Sequence, residues 1–121
     1  MSMRLYCILL SSFLLASQSH AHAHLKEAIP KANALIETKD SPQALSLNFS
    51  EGIELAYSKV EVRESLQQGK LVPEGKLSSP QKSVLMLNFP APLKAGRYFV
   101  VWAVTSVDRH KTNGHYSFLV K

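Results

Sequence analysis

Cysteine is almost missing from this 121-residue chain: the only one, Cys7, falls within an early apolar stretch. The rest of the chain therefore has no thiol, which excludes disulfides, thiolate zinc fingers and iron–sulfur clusters. Long hydrophobic runs are equally scarce. The longest, Leu5 to Ala16, is interrupted by Ser11 and Ser12 and falls short of the roughly 20 apolar residues that a membrane-spanning helix needs. Glycine occurs five times, with no Gly-rich phosphate loop and no Gly-x-Ser-x-Gly nucleophile elbow among those positions. The net charge is +5, but the lysines are scattered singly rather than gathered in a stripe with aromatics, which argues against a nucleic-acid partner.

What is present begins with a leader. Arg4, the apolar run and then Ser17-Gln18-Ser19-His20-Ala21 follow the order of a secretory signal peptide. Cleavage after Ala21 would use Ser19 and Ala21 as the small residues, and cleavage after Ala23 would use Ala21 and Ala23. We take the first, so residues 1–21 are the leader and 22–121 one exported, soluble domain with a single core.

Within that domain, apolar and polar residues alternate with period two over 44–49, 57–62, 84–89 and 116–120, the pattern of half-buried strands. A more continuous run, Tyr98 to Val104, reads as a central strand buried on both faces. Turn signals at Ser41-Pro42, Gly69, Pro73 to Gly75, Pro90 to Pro92, Ala95-Gly96 and Asn113-Gly114 separate these segments. Residues 27–37 are the only helix candidate, and Pro30 argues against it. The expected fold is all-β: a small antiparallel Greek-key sandwich, immunoglobulin-like, of about seven strands.

Two short-spaced pairs carry the chemistry. His22-Ala23-His24 would begin the exported chain, so that His22 offers both its α-amine and its ring to one ion. Asp108-Arg109-His110 follows the central strand, and in extended backbone residues two apart share a side. Three imidazoles, an amine and a carboxylate suit tetragonal Cu(II), with zinc accepting the same donors tetrahedrally. A local alternative stays open: the free amine, two deprotonated amides and the His24 ring can hold Cu(II) without Asp108 or His110. Two other classes compete. One is a copper oxidative enzyme with an N-terminal histidine brace, for which the chain is short of substrate-binding loops. The other is a metal-independent periplasmic interaction module. Tyr57, Tyr98, Trp102 and Phe118 read as packing residues, and Met86 as a core residue.

His22-Ala23-His24-Leu25-Lys26, Leu47-Asn48-Phe49-Ser50-Glu51-Gly52, Pro92 to Tyr98 and above all the block from Val101 to Gly114, with its Ser-Val-Asp-x-His-Lys, resemble the CopC-type periplasmic copper-resistance proteins, including their YobA-like branch. That resemblance implies a Greek-key sandwich binding one Cu(II) per chain in the periplasm through His22, His24, Asp108 and His110, without catalysis. It places Glu51 behind a ligand imidazole, and His115 is a further candidate neighbour of the site. Some members bind Cu(I) through a methionine-rich loop. Only Met86 follows the leader here, so no Cu(I) site is expected. The resemblance also implies an inner-membrane copper transporter of the CopD type as a partner, and the mature chain is expected to be a monomer.

Overall fold

A computed structural model describes residues 23–64 and 75–121; the leader, His22, the cleavage position after Ala21, and the turn signals at Gly69 and Pro73 lie outside the described residues. Among the described residues eight strands form two four-stranded sheets. In chain order they are β1 (Leu25–Ile29), β2 (Leu35–Ile36), β3 (Ala44–Phe49), β4 (Lys59–Arg63), β5 (Leu77–Gln81), β6 (Val84–Asn88), β7 (Gly96–Thr105) and β8 (Lys111–Val120). One sheet has the order β1-β3-β6-β5 and the other β2-β8-β7-β4, so the chain crosses between sheets in the way a sandwich requires. Two short 3-10 turns, Thr38–Asp40 and Leu55–Tyr57, are the only helical segments among the described residues.

Alternation explains the core. Leu45, Leu47 and Phe49 of β3 and Leu85 and Leu87 of β6 face Val60, Val62, Val100, Val104, Phe118 and Val120 across the sandwich, all nearly inaccessible to water. Each such side chain contributes roughly 1.5–3 kcal/mol by leaving water. Tyr98 stacks on Phe118 with ring centroids 5.5 Å apart. The helix candidate over 27–37 is instead β1, a cis Ile29–Pro30 bond and a strap into β2. That strap is tied to β8 by the Tyr116 hydroxyl on the Pro30 carbonyl (2.8 Å) and by the Asn33 N–H on the Ser117 carbonyl (2.7 Å).

Three packing expectations are corrected. β7 is central in its sheet, but its outward residues Phe99, Val101 and Ala103 keep solvent exposure, because among the described residues no layer covers that face. Met86 points outward between Ser46 and Ser78 and is half-buried, since its neighbours Leu85 and Leu87 take the inward positions of β6. Tyr57 is not a packing residue: it sits in a 3-10 turn before β4 and is 74% exposed.

Candidate metal centre

β7 and β8 are joined by a tight loop that closes on itself. The Ser106 N–H donates to the His110 carbonyl (2.9 Å) and the Arg109 N–H to the Ser106 carbonyl (2.8 Å), with Arg109 at φ 70° to complete the turn. Asp108 and His110 therefore do not share a side through extended backbone, as their spacing implied. A turn brings them together instead: Asp108 Oδ2 lies 2.9 Å from His110 Nδ1, and Asp108 Oδ1 accepts the His110 N–H at 3.1 Å. Ser106, fully buried at the end of β7, donates its hydroxyl to Asp108 Oδ1. The Ser106 hydroxyl, then the His110 ring and N–H, hold the Asp108 carboxyl down to about 2, so it is an anion at any ordinary pH. Nδ1 of the His110 ring is turned to the carboxylate, the kind of partner that commonly orients a metal-binding imidazole.

The second half of the site is the start of the described chain. Ala23 is buried, and its carbonyl accepts the Thr112 hydroxyl of β8 at 3.1 Å. His24 exchanges two bonds with Ser50, its N–H donating to Ser50 Oγ at 2.8 Å and its carbonyl accepting the Ser50 N–H at 2.7 Å. Strand structure begins only at Leu25, so His24 stands in irregular backbone at the mouth of the sandwich with its side chain exposed. Ser50 opens the turn that carries Glu51 and Gly52, and the Gly52 carbonyl accepts the Val107 N–H at 3.0 Å. A Cβ on Gly52 would lie 3.0 Å from Val107 Cγ1, so a small residue lets this turn press against the Asp108 loop. The N-terminal segment, the 50–52 turn and the 106–110 loop thus meet at one end of the molecule.

Asp108 and His110 are in contact, His24 is tethered to the turn beside them, and Glu51 sits half-exposed in that turn. Among the described residues no three His, Cys, Asp or Glu side chains converge closely enough to hold an ion by themselves. His22 lies outside the described residues. His115 is placed elsewhere: it faces outward from β8 opposite Val101, in a shallow groove with Asn33, Phe99 and Ser117, about 16 Å of strand from His110.

Three hydroxyls that sequence reasoning passed over, on Ser50, Ser106 and Thr112, do the positioning. Their signal was a polar side chain at each strand end flanking a candidate ligand. Trp102 lies behind them, edge-on to Phe49 at 6.3 Å and over Gly114, where a Cβ would fall 2.2 Å from its ring.

A sequence model of the CopC domain matches residues 25–121. Protein YobA of Escherichia coli strain K12 is 40% identical over 121 residues, covering 99% of this chain and 95% of its own length. Two solved structures are similar. CopC from Methylosinus trichosporium OB3b superposes with a TM-score of 0.71 at 36% identity, covering 83% of this chain and 94% of that one. PcoC, a methionine-rich copper resistance protein from Escherichia coli, superposes with a TM-score of 0.72 at 28% identity, covering 84% and 100%.

Proposed function

The chain belongs to the CopC domain family, and from that membership we propose that it is a periplasmic Cu(II) carrier or buffer in copper tolerance or supply, working by binding and release rather than turnover. Removal of residues 1–21 exposes His22, and the ion is held by the His22 amine and ring together with His24, Asp108 and His110, one ion per chain. Asp108 supplies the anionic oxygen that partly neutralises the dication. Both of its oxygens are already hydrogen-bonded, and Oδ2 keeps a second lone pair for the metal.

The observation that carries this reading is the double tether of the N-terminal segment, Ala23 to Thr112 and His24 to Ser50, beside the Asp108 loop. It also counts against purely local chelation. That mode needs the His24 amide nitrogen stripped of its proton and bonded to copper, whereas in the fold this N–H donates to Ser50 Oγ at 2.8 Å. Local chelation would have to undo the tether.

The test is a Cu(II) titration of the exported protein, followed by electron paramagnetic resonance and Trp102 fluorescence. Replacing Asp108 and His110 by Ala is expected to lower affinity by at least a hundredfold, as loss of two ligand groups worth more than about 1.4 kcal/mol each requires. Affinity within a few-fold of the parent would leave only the local mode standing. A melting temperature indifferent to Cu(II) would favour an interaction module that needs no metal.

A further inference from the structure

The loop that carries the proposed ligands is badly suited to attracting a bare dication. Arg109 and Lys111, both exposed, flank His110, and among the described residues neither has a carboxylate within ion-pair distance. Asp108, next to Arg109 in the chain, is committed to Ser106 and His110. The exported domain, without Arg4, is still positive, with 13 basic against 9 acidic residues.

The same residues line an open groove of about 660 Å³, with Tyr57 and Val107 as its apolar surface, Thr105 at its base and Glu54 as its single carboxylate. Tyr57 is 74% and Val107 54% exposed, an unusual outlay of apolar surface next to two cations that have no carboxylate partner among the described residues. Two positive charges against one negative make the groove a receptor for an anion with some hydrocarbon in it. A guanidinium also presents a fork that matches a carboxylate.

We propose that this groove receives Cu(II) as an anionic chelate, an aminocarboxylate or hydroxycarboxylate complex, whose carboxylate arms dock on Arg109 and Lys111, the residues that precede and follow His110 in the chain. The inference rests on the Cu(II) role proposed above and names the form in which the ion arrives. Transfer is ligand exchange: bonds from copper to the chelator break as bonds to the protein nitrogens and the Asp108 oxygen form. The ion stays Cu(II) throughout, no electron moves, the chelator departs as the free anion, and protons displaced from the incoming donors pass to solvent. Arg109 sits between Asp108 and His110 in one closed turn, so docking and exchange share the same loop.

Stopped-flow transfer to the exported protein, read by Trp102 quenching, separates the alternatives. The donors are Cu(II)–nitrilotriacetate, which is anionic, and Cu(II)–bis(glycinate), which is neutral. Each variant is compared with the parent on the same donor. R109Q/K111Q is expected to slow transfer from the anionic donor roughly tenfold and to leave the neutral donor unchanged, while R109K/K111R keeps the parental rates. The advantage of the anionic donor should fade as salt rises. Unchanged transfer from the anionic donor in R109Q/K111Q would overturn the inference, and so would equal slowing with both donors, which marks damage to the loop. Equilibrium Cu(II) affinity on the same preparations tells the two readings apart. A parent that binds no Cu(II) removes both, and one that binds it but ignores donor charge removes only this one.

Discussion

Ser106 shows how one hydroxyl sets the chemistry of its neighbours. It is buried, it donates to Asp108, and its backbone closes the loop on His110, so the carboxylate stays ionised to a lower pH than an ordinary exposed one. Ser106→Ala is expected to raise the Asp108 carboxyl from about 2 toward the ordinary carboxylate range, measurable by carbon NMR titration of its side chain. The sign for stability follows from the lowered value. Asp108 contributes above about pH 4, where the unfolded carboxyl is also ionised, and the contribution is lost as pH falls through about 2. The variant should therefore unfold at higher pH than the parent on acid titration, and coincident acid transitions would refute the role given to Ser106. Gly114 is a second single-residue device. With Trp102 lying across it, Gly114→Ala forces the indole to move, at a cost of about 1–3 kcal/mol, visible as a lower melting temperature and a shifted Trp emission.

At the level of elements, β8 does two jobs, since its inward residues build the core while its first turn receives the N-terminal segment through Thr112. Thr112→Val keeps the shape and removes one hydrogen bond of about 1 kcal/mol, so Cu(II) affinity is expected to fall about fivefold with the fold intact. An unchanged affinity in a competition titration would mean that the tether at Ala23 does not matter. β3, β6 and the second half of β8 were legible from period two alone, because one face of each meets the core, whereas β7 was legible as a strand from its continuous apolar run, which wrongly implied burial on both faces. β2 and β5 were not. β2 is two residues long and β5 contains Pro80, an edge position that breaks the pattern a buried strand must keep. Tyr57 was misread because a 3-10 turn shifts its phase relative to β4, and alternation carries no mark of where a strand begins. The edge strand β4 is guarded by Lys59 and Arg63, both bonded to Glu61, whose carboxyl these partners hold below its usual range. Of the candidate site, Asp108 and His110 were legible as a spaced pair, but their contact was reached through a turn that no periodicity encodes.

Seen as a whole, the molecule divides into a dry β core and one polar end where three chain segments meet, and the binding mode at that end controls how affinity responds to pH. In the distributed site the metal competes with protons for imidazoles and an α-amine, groups that ordinarily titrate near about 6.5 and 8. Asp108 takes no part in that competition above about pH 4, because its carboxyl is already ionised. Affinity should therefore fall steeply below about pH 6, by more than a decade per pH unit, as several nitrogens regain protons together. Toward alkaline pH that proton competition dies away, and the affinity should level off. A local chelate behaves differently, because its two backbone amides keep their protons until copper displaces them. Its affinity would go on climbing with pH through the whole alkaline range. Competition against a chelator of known proton stoichiometry from pH 5 to pH 10 distinguishes the two curves. A plateau supports the site assembled from both ends of the domain, and a continuing rise of two decades per unit would mean that copper has pulled the His24 amide away from Ser50.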